Sequence, residues 1–257
     1  LTEGQDALKT QVQKVLDEGG AYVFFCRQSC VQMRIEERVA AARQGLKDIG
    51  RGDWQSARIH FYDANRIAAW VNCFFPAQVY VFECNGITLD FGIKSWWSWA
   101  SHREFQVKYV STEQLTKFVD SVRGICHRGD NRPVRISGLS GLGKTRLALE
   151  AFRPTEGSTQ YHETALHHRV AYIDASLLES QKIVGLLSQL RKLNRSGILV
   201  VDDCEPLLHR QLCKELGYEG GEKISLVTLD FVPDEGSPGC QISLKPEDCK
   251  GVVKGII

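Results

Sequence analysis

A chain of 257 residues, 25% charged and 43% apolar, has the composition of a soluble globular protein and is long enough for one large or two ordinary domains. Its 32 basic and 31 acidic residues leave a formal net charge of +1, which argues against a protein-wide electrostatic footprint for nucleic acid. No apolar run approaches the ~18 residues of a membrane span, and the start at Leu1 lacks the basic, apolar and small-residue pattern of a secretory leader, so a cytoplasmic fragment of a longer polypeptide is expected.

Residues Gln5 to Glu18 place Leu8, Val12 and Val15 at helical spacing, and Gly19-Gly20 follows as a stop. Ala21 to Cys26 is a short apolar run that predicts a buried strand. From Val31 to Ile49 a helix is expected, with Ile35, Val39, Ala42, Leu46 and Ile49 on one side, broken by Gly50-Arg-Gly-Asp53. Arg58 to Tyr62 predicts another strand, and Asp63 is placed to cap a helix that buries Ile67, Ala68 and Val71. Helix, strand, helix, strand, helix is a small α/β arrangement. Gln78 to Cys84 reads as one more strand or a connection.

The strand Tyr22-Val-Phe-Phe-Cys26, the helix after it, and Ile59-His-Phe-Tyr-Asp-Ala-Asn-Arg-Ile-Ala-Ala-Trp70 resemble the C-terminal half of a Mrr-like restriction endonuclease domain of the PD-(D/E)xK superfamily, over about residues 1–80. The resemblance implies that the catalytic Asp and the Glu/Gln-x-Lys pair lie upstream of Leu1. Asp53, Asp63 and Glu83 read instead as turn, cap and surface residues. A structural α/β domain without nuclease activity is the competing reading.

Trp96, Trp97, Trp99 and Phe105 form an aromatic cluster that reads as the packing of a domain junction rather than a platform for bases. Ser111-Thr-Glu-Gln114 has the spacing of a capping box and opens a helix through Leu115, Phe118, Val119 and Val122; Gly124 to Pro133 is expected as a loop. These features put one domain at residues 1–100 and a second at 101–257.

The second domain opens on Val134-Arg-Ile-Ser-Gly-Leu-Ser-Gly-Leu-Gly-Lys-Thr145, which fills G-x-x-x-x-G-K-[ST] without a mismatch between an apolar strand and a helix. Backbone N–H groups of Gly138, Ser140, Gly141, Leu142 and Gly143 would cradle phosphates, a cradle reinforced by the start of the helix. Lys144 would reach the β- and γ-phosphates, and the Thr145 hydroxyl would take one position on Mg²⁺. Arg135, Arg146 and Arg169 are candidates for phosphate or neighbour contacts, with surface charge the plainer reading of each.

His168 to Asp174 predicts a strand, Leu177 to Leu193 a helix, and Ile198 to Asp202 a strand buried on both faces and ending in Asp202-Asp203. Acids there lie where ligands of parallel sheets bind. Asp202 would hold Mg²⁺, and Asp203 would orient or deprotonate the attacking water. Ile224 to Leu229 predicts a further strand in which Thr228 is a candidate γ-phosphate contact, an ordinary β-branched strand residue being the equal alternative. The order of elements points to the class in which an extra strand separates the phosphate-loop strand from the acidic strand. Cys240 to Asp248 reads as the last core strand and the opening of a helical lid. Nine cysteines without paired zinc spacing are expected to be mostly free thiols, with Cys26, Cys73, Cys84 and Cys204 in apolar company; His167-His168 reads as a solvated loop.

The set Gly-Leu-Ser-Gly-Leu-Gly-Lys-Thr145, Ile198-Leu-Val-Val-Asp-Asp203 and Ile224-Ser-Leu-Val-Thr-Leu229 resembles the STAND branch of signalling NTPases, near the AAA+ group, over about residues 105–257. With a Mrr-like domain before it, the layout resembles bacterial antiviral STAND ATPases. That resemblance implies a P-loop NTPase with a parallel α/β sheet, ATP and Mg²⁺ as ligands, and slow hydrolysis. It also implies tetramer-like homo-oligomerisation on activation, a phage protein sensed by a C-terminal segment, and double-stranded DNA as the effector's target. A kinase-like phosphoryl transferase, or an AAA+-type ATPase with a non-catalytic N-terminal binding module, remains the alternative.

Overall fold

The computed structural model describes residues 9–84, 92–129, 132–154, 165–233, 236 and 238–250. The chain divides into two compact units, Leu1–Asn72 and Cys73–Ile257, so residues 73–84 and 92–100 belong to the second.

In the first unit, helix α1 (Thr10–Asp17) leads to strand β1 (Ala21–Phe25), helix α2 (Gln32–Asp48), strand β2 (Arg58–Tyr62) and helix α3 (Ala64–Val71). Residues 5–8 of the expected first helix lie outside the described residues. β1 and β2 pair in parallel, Ala21 opposite Arg58 and Phe25 opposite Tyr62. Val12, Leu16, Leu46, Ala57 and Ile59 form the core. β1 is not the buried strand its apolar run predicts: Val23 and Phe25 are exposed, because a period of two turns them away from the covered face and no further layer meets them among the described residues. Asp63 caps α3 as expected, accepting from the Arg66 N–H at 2.9 Å and also from the Cys30 N–H at 2.8 Å. That helix buries none of Ile67, Ala68 and Val71. Cys26 also departs from the expectation of a small hydrophobe: it is half-exposed, and the Gln28 backbone and the Arg38 guanidinium hold its thiol below the usual range.

The second unit begins with a correction. Residues Phe75–Cys84 form helix α4 rather than a strand; a run of ten apolar-rich residues suits a helix, and Pro76 sits in its first turn, where its missing N–H costs nothing. Then come β3 (Lys94–Ser95), α5 (Trp96–Ala100), α6 (Glu113–Arg128), β4 (Val134–Gly138), α7 (Lys144–Ala151), β5 (Val170–Asp174), α8 (Ser180–Lys192), β6 (Gly197–Asp202), α9 (Pro206–Leu216), β7 (Ile224–Asp230) and β8 (Cys240–Leu244). α6 continues into the expected loop as far as Arg128 and is closed by Gly129, whose φ of 67° supplies the left-handed C-cap. Its N-cap is Thr112, not Ser111: the Thr112 hydroxyl accepts from the Leu115 N–H and donates to Asp248 O at 2.9 Å, a cap worth about 1 kcal/mol.

The sheet runs β3-β5-β6-β7-β4-β8, parallel except for β3, which pairs antiparallel with β5. It is therefore a mixed sheet, in which β7 lies between the strand before the glycine loop and the strand that carries the two acids. The strand that precedes the acidic strand in sequence, β5, lies on the far side of it. β6 and β7 are buried along their whole length. Helices cover both faces, as parallel strands require. One layer places Trp96, Trp99, Val122, Leu147 and Leu149 against Ile136, Val200, Val227 and Leu229. The other places Phe75, Leu186, Leu190, Leu208 and Leu212 against Ile173, Leu199, Val201 and Leu226.

Two polar features of this core depart from expectation. Arg135, read as a surface charge, is 0% exposed; it donates to Asp230 Oδ2 at 2.9 Å, Cys204 O at 3.1 Å and Val232 O at 3.0 Å. The period of β4 sends position 135 to the face opposite α7, where Asp230 waits. His167 and His168 are not a solvated loop but part of a 3₁₀ turn, Leu166–Arg169, in which His167 is 9% exposed and packs edge-on to Trp96 and Trp97. The Trp96 indole N–H donates to Leu149 O at 3.0 Å, so the aromatic cluster is built into the core of this unit. Among the described residues, no helix is long and apolar enough to cross a membrane, and no group of three His, Cys, Asp or Glu side chains could hold a metal.

Candidate functional site

The site grows from the end of β4. Gly138 has φ 150°, and a Cβ there would meet Leu244 O of the neighbouring strand at 2.7 Å. Gly141 and Gly143 have φ of 81° and 82°, and Gly143 is the left-handed N-cap from which α7 starts. The chain thus leaves the sheet, curls over Leu139 to Leu142, and enters the helix with the N–H groups of its first turn free of helical partners. Ser140 and Gly141 are exposed at the crest. Lys144 folds back over the loop, its Nζ donating to Gly138 O at 2.8 Å and Leu139 O at 3.1 Å. That places an ammonium group where it can exchange two neutral carbonyls for anionic oxygens.

One turn of α7 carries the neighbouring side chain to the acidic strand. The Thr145 hydroxyl donates to Asp202 Oδ2 at 2.8 Å, joining residues 57 apart in sequence across the intervening β7. The same oxygen accepts from the Tyr172 hydroxyl of β5 at 3.0 Å, while Asp202 Oδ1 accepts from the Asp203 N–H at 3.0 Å. Asp202 is 8% exposed; burial pushes its carboxyl above the ordinary range, opposed by the Thr145, Asp203 and Tyr172 hydrogen bonds. A desolvated carboxylate facing a hydroxyl beside an anion cradle is an all-oxygen donor set that suits a hard divalent cation such as Mg²⁺. Asp203 is exposed at the same strand end in a left-handed conformation, φ 49°, and the backbone after it is held on both sides: Cys204 N donates to Leu229 O at 2.8 Å and Cys204 O accepts from Arg135.

The remaining candidates are placed elsewhere. Thr228 is 0% exposed, on the face that meets α9, and its hydroxyl pairs with His209 Nδ1 at 2.8 Å. Strand periodicity groups it with Leu226, away from the α7 side. Arg146 reaches one turn along α7 and lines a cavity beside the glycine loop: its Nε pairs with Glu150 at 2.7 Å, its Nη1 donates to Phe105 O at 3.0 Å, and its guanidinium lies over the Tyr109 ring at 5.5 Å. Arg169 donates to Ser196 Oγ at 3.1 Å.

A cavity of about 650 Å³ opens beside Gly141–Gly143, walled by Val107, Tyr109, Val110, Leu142 and Leu147 and, from the opposite side, by Pro246 and Cys249. Its lining is chiefly apolar, the character of a site for a flat heteroaromatic group rather than for phosphate. The segment Val107–Val110 has no motif or period, so the sequence gives no sign that it forms a wall. What ties it to α7 is the Arg146 guanidinium over the Tyr109 ring.

No protein-family profile matches the chain, and no curated protein is significantly similar to it. Solved structures similar to it include one described as "Structure of C. elegans PCH-2", with a TM-score of 0.33 and 12% sequence identity, covering 52% of this chain and 40% of that one.

Proposed function

We propose that residues 73–257 bind ATP with Mg²⁺ and hydrolyse it slowly as a switch. The observation that carries this reading is the Thr145–Asp202 hydrogen bond, which brings the end of the glycine loop to the first of the paired acids. In the proposed arrangement the N–H groups of Gly138–Thr145 and the Lys144 ammonium hold the β- and γ-phosphates. Thr145 and Asp202 hold Mg²⁺, which when bound offsets charge on the phosphate oxygens. The exposed Asp203 orients the attacking water, and the apolar cavity between Val107–Val110 and Pro246–Cys249 receives the nucleoside. The position of β7 between β4 and β6 supports the STAND/AAA+ side of the nucleotidases over the simpler kinase order. Thr228 has no part in this reading, its hydroxyl being engaged by His209, whereas Arg146, paired with Glu150, also lines the cavity and stays a candidate contact.

The wider role we infer is that of a STAND signalling ATPase in antiphage defence. There, ATP binding would favour a homo-oligomer that activates an N-terminal DNA endonuclease once a phage protein is sensed. Support for that role is the resemblance of the motifs and of the strand–helix–strand–helix order of residues 21–71, and it is separable from the nucleotide reading. Lys144→Ala is expected to weaken a fluorescent ATP analogue at least tenfold. Unchanged affinity would overturn the nucleotide reading, and phosphate appearing on an acceptor other than water would replace the switch with a phosphoryl transferase.

A further inference from the structure

Asp202 is held from three directions by groups with different freedom. Thr145 lies on α7 and donates to Oδ2; the Asp203 N–H donates to Oδ1; Tyr172 lies on β5, in register with Val200, and donates to Oδ2 as well. With both hydroxyls on Oδ2, the two lone pairs of that oxygen are taken. Under the nucleotide reading the Thr145 oxygen has a second task at the cation, and its departure releases one of those lone pairs on the side that faces the glycine loop.

Tyr172 has no comparable alternative. Its side chain is 7% exposed, and its ring stacks on the indole of Trp99 at 4.3 Å with 20° between the planes. Trp99 is itself 1% exposed. A phenylalanine would fill the same slot, and a buried hydroxyl is costly unless it is hydrogen-bonded, so the phenol oxygen is accounted for by the carboxylate it meets. A phenol is a hydrogen-bond donor at neutral pH, and an ionised carboxylate can only accept.

We propose that Tyr172 is a positioning residue: its hydroxyl and the Asp203 N–H, one on each oxygen, fix the Asp202 carboxylate so that the lone pair released by Thr145 faces the cation of a bound nucleotide. This rests on the ATP and Mg²⁺ reading of the same site. Tyr172 touches neither nucleotide nor cation; it acts through Asp202. The ring stack fixes where the hydroxyl is, and the hydroxyl fixes the rotamer of the acid.

The test is the gain in nucleotide affinity that Mg²⁺ confers, measured by fluorescent ATP analogue binding in EDTA and in saturating Mg²⁺. For Tyr172→Phe, affinity in EDTA is expected to stay within twofold of the parent, while the Mg²⁺ gain falls at least fivefold and half-saturation shifts to higher Mg²⁺. An undiminished gain overturns the proposal, as does an equal loss with and without Mg²⁺, which marks a structural role. A double-mutant cycle guards against a poorly folded variant: in an Asp202→Asn background, adding Tyr172→Phe is expected to reduce the Mg²⁺ gain no further, and an additive loss overturns the proposal. A parent protein that binds no nucleotide sinks the underlying reading, an outcome visible before any Tyr172 variant is made.

Discussion

His167, buried beside two tryptophans, is one source of acid sensitivity in this protein, and the pKa of its neighbour His168 is lowered by burial as well. Desolvation, with His168 adding repulsion, lowers His167 from 6.5 to about 4. Above pH 6.5 the group is neutral in folded and unfolded chains alike and has no effect. As pH falls from 6.5 towards 4, the unfolded chain takes up a proton that the folded one refuses, so stability is lost across that window, by up to about 1.4 kcal/mol per pH unit. His167→Gln is expected to flatten the fall of melting temperature between pH 6.5 and 4 relative to the parent. An unchanged slope would mean that other groups dominate. From sequence this residue reads as a loop histidine, because its burial comes from Trp96 and Trp97, some 70 residues away, and no local period records such a partner. Arg135 was hidden for the same reason: its counter-ion Asp230 lies on a strand that only the sheet order makes a neighbour. Gly138, Lys144, Thr145 and Asp202, by contrast, were legible as candidates, since their spacing and their places at strand and helix ends are local properties.

At the scale of elements, short apolar runs are where sequence and structure part. β6 and β7 were readable from β-branched runs and β2 from the alternation of Ile59 and Phe61 with polar neighbours, whereas α4 was not, since a few apolar residues fit a strand or a buried helix equally well. What α4 does is visible in the residue it packs on. Phe75 is 1% exposed and lies so close to the start of β6 that a Cβ on Gly197 would meet its ring at 2.2 Å. Gly197→Ala is therefore expected to force the Phe75 ring aside and destabilise the second unit by ~1–3 kcal/mol, measured by denaturant midpoint. A neutral substitution would mean that α4 can shift without cost. The order of strands was legible in class but not in identity: an extra strand does separate β4 from β6, and it is β7, the later one in sequence.

For the whole molecule, the two compact units divide between Asn72 and Cys73, and we propose that the domain boundary follows that division rather than falling after residue 100. Residues 73–257 alone are expected to fold cooperatively and to keep nucleotide binding. Residues 101–257 lack Phe75, Trp96 and Trp99, large buried side chains whose loss costs ~3–5 kcal/mol apiece, and are expected to be insoluble or to melt without a cooperative transition. Equal solubility and equal melting of the two fragments would return the boundary to residue 100.

The stack of Trp99 on Tyr172 has a consequence of another kind. An indole in van der Waals contact with the phenol that touches Asp202 is a chromophore coupled to the acid's surroundings, and excitation of the tyrosine drains into it. Trp97, 57% exposed, is open to a soluble quencher, while Trp96 and Trp99 are shielded from one. In the second unit the share of the shielded emission that comes from Trp99 thus arises beside the acid and the quenchable part at the surface, so a rearrangement around Asp202 is expected to change the intrinsic fluorescence of residues 73–257.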